Sequence, residues 1–226
     1  MKNIVFVLIH GFGGSTDEVA PLADFFSRKG YRTICPKLKG HTGAWHDLKG
    51  VKYQDWIRSV TDELETVEND ITDLIVIGFS MGGLIALNLA TRHRFAAVIT
   101  INTPIYYWDL KRIGLKLLND FKNREFSNLQ RYLDSSAVLP IGAILNFKLL
   151  LKQTKPIIRE ITCPLYVLQG SDDDAVMPRS ANYIYERART TVKRIDFFDH
   201  FGHEMLQSAA AETAIASIER FVAELI

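Results

Sequence analysis

The chain has 226 residues, a length that fits one large domain or a core domain with an insertion. Hydrophobic residues make up 47% and charged residues 23% of it, which is typical of an ordinary globular protein. The formal net charge of +1 argues against an electrostatic affinity for nucleic acid or an anionic membrane.

The first apolar run, residues 4–9, is short and is followed by His10 and Gly11. A secretory signal needs a longer apolar region and a small-residue cleavage site, and no run in the chain approaches the length of a bilayer crossing. The two cysteines, Cys35 and Cys163, are predicted to be buried free thiols rather than a disulfide, which suits a reducing compartment. We therefore expect a cytoplasmic protein without stable membrane insertion.

Short runs of branched apolar residues alternate with amphipathic segments of helical length. Strands are predicted at residues 4–9, 32–35, 74–77, 96–101, 165–169 and 192–197. Helices are predicted at residues 16–29, 53–69, 180–189 and 208–225, with a further helix directly after Ser80. This alternation, with strands that are mostly apolar throughout, is typical of parallel strands covered on both faces. The predicted fold class is α/β, with a doubly wound, mostly parallel six-stranded sheet.

The first predicted helix begins with a recognisable N-terminal signal. Ser15 is followed three residues later by Glu18, which is the spacing of a capping box, and Gly30 supplies the stop. Ser15 and Glu18 are therefore predicted to cap the start of this helix.

A long insertion interrupts the alternation between residues 101 and 165, where no strand pattern is found. It contains two helical patterns, at 111–121 and 141–152, and many aromatic and aliphatic residues. It leaves from the C-terminal end of a strand, the edge at which such sheets place their active sites. We predict a small helical cap at residues 104–158 over a core formed by 1–103 and 159–226. A packing extension without a role at the site is the alternative.

Residues 78–82 read Gly-Phe-Ser-Met-Gly between an apolar strand and a helix. In this context the pattern predicts a nucleophile elbow, a sharp turn whose small flanking residues let the chain pass. Ser80 at its apex would stand clear of the sheet at the positive end of the following helix. Ser80 is therefore the candidate nucleophile.

A serine nucleophile needs a histidine base and a carboxylate that orients the base. After Ser80, His203 and His200 lie on a loop behind a late strand, and His203 is favoured because Gly202 precedes it and a helix follows. The acid is expected in the loop after the strand 165–169, where three aspartates stand together at 172–174. Position alone does not choose among them.

The loop after the first strand, residues 10–14, reads His-Gly-Phe-Gly-Gly and allows close approach of the backbone to a substrate. The N–H groups of Phe12 and Met81 are the natural pair of oxyanion donors. A phosphate cradle is the rival interpretation, but the segment lacks the glycine and lysine pattern of nucleotide loops. His41 and His46 stand five apart without a nearby cysteine pair, so no metal site is predicted.

Together these segments resemble the α/β-hydrolase family, and within it the small bacterial carboxylesterases close to monoglyceride lipases. The resemblance extends over essentially the whole chain and is sharpest outside the insertion. It is carried by residues 10–14, 36–41 and 78–82, by Gly-x-x-Asp-x-x-Val at 170–176, and by Gly202-His203.

The resemblance assigns roles to five residues. It implies Ser80 as nucleophile, His203 as base, Asp173 as the acid, and the N–H groups of Phe12 and Met81 as oxyanion donors. Six strands rather than eight imply that the family's usual first hairpin is missing.

The expected protein is a serine carboxylesterase for small-molecule esters with an apolar acyl group, working without a cofactor as a monomer or weak homodimer. A monoacylglycerol lipase, thioesterase or lysophospholipase would use the same three side chains. A hydrolase-like protein that only binds a ligand is the alternative from another class.

Overall fold

Six parallel strands form one sheet in the computed structural model, which describes residues 4–67, 73–108, 140–209 and 211–225. The strands are β1 Ile4–Ile9, β2 Arg32–Ile34, β3 Asp73–Phe79, β4 Ala97–Ile101, β5 Leu165–Gly170 and β6 Lys193–Phe198. The α-helices of these ranges are α1 Ala20–Arg28, α2 Tyr53–Glu65, α3 Met81–Ala90, α4 Ile141–Ile157, α5 Arg179–Arg187 and α6 Ala211–Leu225. None of them has the length and hydrophobicity that a bilayer crossing requires.

The strands follow the order β2-β1-β3-β4-β5-β6, and every neighbouring pair is parallel. The predicted fold class is therefore confirmed. Strand β2 lies on one side of β1, and β3 lies on the other side. The direction in which the chain adds strands to the sheet therefore reverses at β1. In open α/β sheets, the loops at such a switch point form the ligand crevice. Here those loops are residues 10–14 and the turn at Ser80.

Helices cover both faces of the sheet. Alternate strand residues point to opposite sides, as the two-residue period of a strand requires: Val7 and Val76 face α2 to α5, whereas Phe6 and Ile75 face α1 and α6. The aromatic ring of Phe6 stacks on Phe26 of α1 at 3.8 Å. Helix α3 is buried on all sides, as its uniformly apolar sequence indicates. It is the central helix, and Ser80 directly precedes it.

The predicted element boundaries differ from the observed ones by a few residues. The largest difference is in the first predicted helix, which divides into a 3-10 helix, Thr16–Val19, and α1. Pro21 lies in the first turn of α1, where its missing N–H costs no helical hydrogen bond. Helix α2 ends at Glu65, and the last two residues of its predicted span lie outside the described residues.

The predicted capping box at Ser15 is wrong. The Ser15 hydroxyl oxygen does accept a hydrogen bond from a backbone N–H of the first turn, that of Asp17, at 3.2 Å. The Glu18 carboxylate does not reach back to Ser15; it accepts the N–H of Gly11 instead. Glu18 therefore serves the loop before the helix rather than the helix itself.

The insertion is described only at its two ends. The helical pattern predicted at 111–121 lies outside the described residues. The pattern at 141–152 forms α4, which is longer than predicted and packs against α2 and α3. At the other end, Tyr107 pairs with Val176 in a short antiparallel bridge, so the start of the insertion is tied to the loop after β5.

Candidate active site

Ser80 occupies a strained backbone position between β3 and α3. Its φ of 51° and ψ of −121° lie in a region that residues other than glycine rarely adopt. Such a backbone conformation costs about 1–3 kcal/mol of folding free energy. The Ser80 N–H donates a hydrogen bond of 2.8 Å to the carbonyl oxygen of Ile101 on the neighbouring strand. This is the sharp strand-to-helix turn that the Gly-x-Ser-x-Gly pattern predicted.

The two glycines of this turn are required because the backbone passes close to other chain segments. A Cβ atom on Gly82 would overlap the carbonyl oxygen of Ile9, at the end of β1. A Cβ atom on Gly78 would overlap the backbone of Gly82 itself. Neither glycine has a positive φ, so the need is for space and not for an unusual conformation.

The structure brings together the side chains of Ser80, His203 and Asp173. The distance from His203 Nε2 to Ser80 Oγ is 3.1 Å, and that from His203 Nδ1 to Asp173 Oδ2 is 2.9 Å. An ionised carboxylate only accepts hydrogen bonds, so the proton of the neutral imidazole lies on Nδ1. Nε2 is then free to accept the Ser80 hydroxyl proton. All three residues are buried.

The geometry selects one aspartate of the three. Asp173 Oδ1 accepts the N–H groups of Ala175 and Val176, both at 2.8 Å, while Oδ2 meets His203. These bonds offset the cost of burying a carboxylate whose side chain is 0% exposed. The side chain of Asp172 is 61% exposed.

Of the two candidate histidines, only His203 reaches the site. The side chain of His200 is 94% exposed and lies 3.7 Å from Asp172. The conformational freedom expected of Gly202 is not used, since the left-handed residue of this loop is His200, with a φ of 66°.

The loop 10–14 lies directly against Ser80. A Cβ atom on Gly11 would stand 3.2 Å from the Ser80 Cβ, so only glycine fits here without a shift of its neighbours. The next residue, Phe12, has a fully buried side chain whose ring is 5.4 Å from that of Phe147 on α4. Met81 is the first residue of α3, so its N–H is one of the unpaired donors of the helix N-terminus. Of the two predicted oxyanion donors, Met81 therefore directly follows Ser80 in the chain, and Phe12 directly follows Gly11, the residue that lies against Ser80.

Comparison with known families agrees with this arrangement. A sequence model described as alpha/beta hydrolase fold matches residues 4–138. The chain belongs to the α/β-hydrolase fold family. A second model, described as serine aminopeptidase S33, matches residues 132–209. The predicted family is therefore confirmed.

The relatives of this α/β hydrolase include enzymes named for ester hydrolysis. A thermostable monoacylglycerol lipase of Bacillus sp. (strain H-257) is 28% identical over 204 residues, which cover 84% of this chain and 78% of the relative. A carboxylesterase of Bacillus subtilis (strain 168) is 20% identical over 226 residues, with 97% and 92% of the two chains covered. Both names agree with the predicted lipase and esterase class.

Two solved structures show the same fold. One comes from a study of LipS and LipT, two metagenome-derived lipolytic enzymes; it superposes with a TM-score of 0.83 at 20% identity, covering 99% of this chain and 94% of that one. The other is the monoacylglycerol lipase of Paleococcus ferrophilus, with a TM-score of 0.70 at 17% identity and coverage of 97% and 94%. At these identities the likeness concerns the fold.

Asn102 was not among the residues predicted from the sequence, although it joins two loops of the site in this α/β hydrolase. Asn102 directly follows β4 with a φ of 48°. Its side-chain N–H groups donate to the carbonyl oxygens of Gly202 at 3.1 Å and His203 at 2.7 Å, and its Oδ1 accepts the N–H of Gly170 at 2.8 Å. An asparagine at the end of a buried strand, where it tolerates a left-handed conformation, was the available signal.

Two further histidines are buried at the loop 10–14: His10, its first residue, and His41, whose ring lies 5.1 Å from that of His10. His10 Nδ1 bonds to the carbonyl oxygen of Gly11 at 3.0 Å, and its Nε2 accepts the N–H of Leu38 at 3.3 Å. Burial lowers the pKa of His10 to about 4. Burial and the neighbouring His10 together lower the pKa of His41 to about 3. Both therefore stay neutral at physiological pH. Among the described residues, no group of three or more His, Cys, Asp or Glu side chains is suited to a metal ion.

Proposed function

We propose that this protein is a serine carboxylesterase that hydrolyses small-molecule esters with an apolar acyl group. One observation carries the proposal: the buried chain of hydrogen bonds from Ser80 Oγ through the His203 ring to Asp173. A hydroxyl whose proton can pass directly to an oriented imidazole is the activated nucleophile of acyl transfer.

In the proposed reaction, Ser80 Oγ attacks the ester carbonyl carbon while His203 Nε2 takes the hydroxyl proton. The N–H groups of Phe12 and Met81 hold the oxyanion of the tetrahedral intermediate, and Asp173 stabilises the imidazolium. The intermediate collapses, the alcohol leaves with the proton from His203, and an acyl-serine remains. Water then attacks the acyl-serine with His203 as base again, releasing the carboxylic acid and restoring Ser80. No cofactor takes part.

The surroundings of the loop 10–14, which carries Phe12 and is called the oxyanion loop below, support an apolar acyl group. The ring of Phe12 lies 6.1 Å from Trp45 and 5.4 Å from Phe147, and Phe147 lies 6.0 Å from Tyr107. Tyr107 and Phe147 both belong to the insertion at residues 104–158, which we propose to be the cap over the core formed by 1–103 and 159–226. Aromatic side chains from the core and the insertion thus meet at the loop that would receive the ester carbonyl.

A monoacylglycerol lipase is the second candidate, and the 28% identity to a relative of that name favours it. A thioesterase or lysophospholipase would use the same groups. These alternatives differ from the carboxylesterase only in the leaving group and in the length of the acyl chain.

Hydrolysis of nitrophenyl esters over a series of acyl lengths tests the proposal. We expect turnover by the parent protein and loss of at least about a thousandfold in Ser80→Ala. Ser27→Ala is the matched control, because Ser27 is exposed on α1 and should leave turnover unchanged. Equal activity of Ser80→Ala and the parent would refute the mechanism.

The choice between the two candidates depends on a second pair of substrates. If the carboxylesterase assignment is right, kcat/KM is highest for short acyl chains and is lower for a 1-monoacylglycerol; the reverse order supports the lipase. A protein that only binds ligands would turn over neither substrate, and a fluorophosphonate probe would not label its Ser80.

For location and assembly, we infer a cytoplasmic monomer or weak homodimer. In the described residues, Cys35 and Cys163 are free thiols and are only partly buried, which suits a reducing compartment. Cell fractionation and light scattering over a range of protein concentrations test the two inferences.

A further inference from the structure

Glu18 is a buried carboxyl group that the proposed reaction does not use. It lies on the 3-10 helix Thr16–Val19, directly after the oxyanion loop. Its Oε2 accepts a hydrogen bond of 2.7 Å from the N–H of Gly11. Its Oε1 is buried and has no hydrogen-bond partner among the described residues. A buried carboxyl oxygen without a hydrogen-bond partner lowers the stability of the folded chain.

The Glu18 carboxyl and the Ser80 side chain both lie against Gly11. A Cβ atom on Gly11 would stand 3.1 Å from Glu18 Oε2 and 3.2 Å from the Ser80 Cβ, so both side chains adjoin the same point of the loop. A Cβ atom on Gly14 would overlap the same carboxyl group. Gly11, which precedes Phe12, and Gly14, two residues after it, are therefore both in contact with Glu18.

A second contact ties the helix of Glu18 to the histidine loop. The Gln207 side-chain N–H group donates to the carbonyl oxygens of Glu18 at 2.7 Å and Asp17 at 3.1 Å. Gln207 lies four residues after His203, on the 3-10 helix Met205–Gln207. Glu18 is thus fixed relative to both the oxyanion loop and the predicted base.

We propose that Glu18 is a positioning residue of the active site, whose carboxylate holds Gly11 so that the Phe12 N–H faces the oxyanion formed during attack by Ser80. The proposal rests on the proposed esterase function. A charged acceptor makes a shorter and stronger hydrogen bond than a neutral one, in keeping with the 2.7 Å observed. A displacement of the donor by even about 1 Å would lower transition-state stabilisation.

The charge of Glu18 also connects it to the predicted base. Burial raises the pKa of Glu18 to about 7, while the Gly11 N–H and the charge of His203 oppose this rise and Glu204 and Asp17 add to it. The titratable groups that face Glu18 are thus Asp17 on its own helix and His203 and Glu204 on the loop after β6. Ionised Glu18 therefore favours the imidazolium that forms during catalysis, and the group changes charge near neutral pH.

Replacement by glutamine separates this role from a purely structural one. The glutamine amide oxygen can accept the Gly11 N–H without a buried charge, so it serves equally well if Glu18 only maintains the fold. If the charge matters, Glu18→Gln holds Gly11 through a weaker, neutral hydrogen bond and loses the ionisation.

The test measures kcat and KM for a nitrophenyl ester in Glu18→Ala, Glu18→Gln and the control Glu63→Gln, which changes an exposed glutamate on α2. We expect kcat to fall about tenfold to a hundredfold in Glu18→Ala with KM within about twofold, since the loop acts in the transition state. Glu18→Gln should lie between Glu18→Ala and the parent. The acidic side of the kcat profile should show two ionisations in the parent and one in Glu18→Gln.

Two results would overturn the proposal: an unchanged kcat in Glu18→Ala, or the same two ionisations in Glu18→Gln. If circular dichroism shows that Glu18→Ala does not fold, the pH profile of kcat in Glu18→Gln decides.

If the parent hydrolyses no ester, the proposed function fails, and the rate of Ser80 labelling by a fluorophosphonate replaces kcat as the measured quantity. Slower labelling in both Glu18 variants would then support the positioning role, and equal rates would reject it. A parent whose Ser80 is not labelled would overturn both proposals.

Discussion

Two neighbouring aspartates of the loop after β5 have opposite environments. Asp173 is enclosed by two backbone N–H donors and the His203 ring, whereas the Asp172 side chain is largely in solvent. Each of these contacts satisfies an oxygen of the Asp173 carboxyl group and fixes its orientation. The two carboxylates therefore provide a matched pair for testing which one acts on the base.

We predict that Asp173→Asn lowers kcat by about a thousandfold to ten-thousandfold with little change in KM. The amide can donate to His203 Nδ1, which places the imidazole proton on Nε2, where it blocks acceptance of the Ser80 proton. Asp172→Asn is the control and should retain parental kcat. Steady-state kinetics of both variants at pH 8 provide the measurement, and comparable losses in the two would show that Asp173 has no special role.

At the scale of elements, the site depends on how the loops after β4, β5 and β6 are held together. Asn102 after β4 bonds to Gly170 at the end of β5 and to Gly202 and His203 after β6. Gly170 also passes so close to Phe201 that a Cβ atom would overlap its carbonyl oxygen. Because the carboxyl ends of adjacent parallel strands share one edge, a single side chain can fix both the acid loop and the histidine loop.

Asn102→Ala is predicted to reduce both stability and kcat. Loss of three buried hydrogen bonds should lower the free energy of unfolding by about 2–4 kcal/mol, and a loosened His203 should lower kcat at least about tenfold. Asn88→Ala is the control: Asn88 is also buried and bonds to Leu84 and Thr154, away from these loops.

Urea unfolding and kinetics on the two asparagine variants separate the effects. Both should be destabilised, but only Asn102→Ala should lose turnover per folded molecule. If Asn88→Ala loses as much kcat, the effect of Asn102 is general destabilisation and not positioning.

The four central strands were predictable within two residues because buried parallel strands are continuous apolar runs. The edge strands β2 and β6 are partly exposed and carry charged residues, and their place in the βα alternation predicted them. The elbow was predictable because its glycines and serine meet a local steric need. Asn102 and Glu18 were not, for a different reason. Asn102 bonds to residues 68 to 101 positions away, which no local pattern shows. Glu18 has the spacing of a cap, but the Gly11 N–H competes for its carboxylate.

Across the whole molecule, three buried groups in or beside the oxyanion loop influence how stability depends on pH: His10, His41 and Glu18. The pKa of His10 and that of His41 are lowered by burial, so the unfolded chain binds these protons first as pH falls below about 6.5. Stability is then lost on acidification down to about pH 4. The pKa of Glu18 is raised to about 7, so the folded chain binds this proton first, and stability is gained as pH falls from about 7 to 4.5.

These opposite signs predict the stability of Glu18→Gln. At pH 8 the variant should be more stable than the parent by about 3 kcal/mol, because a buried charge is removed. Between pH 6 and 5 the two histidines and Glu18 together give the parent a slope of about 1.4 kcal/mol per pH unit, whereas the variant keeps only the histidines and should have a slope of about 2.7. Its advantage should therefore shrink on acidification and vanish near pH 4.5.

Urea unfolding of parent and Glu18→Gln at intervals from pH 4.5 to pH 8 provides the measurement, with Glu63→Gln as the exposed counterpart. Groups that titrate equally in both proteins cancel in the difference between the curves, so the difference isolates Glu18. Parallel curves would mean that Glu18 is ionised in the folded chain throughout this range, and the two ionisations expected in the kcat profile would then need another source. The opposite outcome is a stability difference between Glu18→Gln and the parent that decreases on acidification, together with a kcat of the variant below that of the parent. That result would show that the charge of Glu18 destabilises the fold and is retained because it supports the reaction.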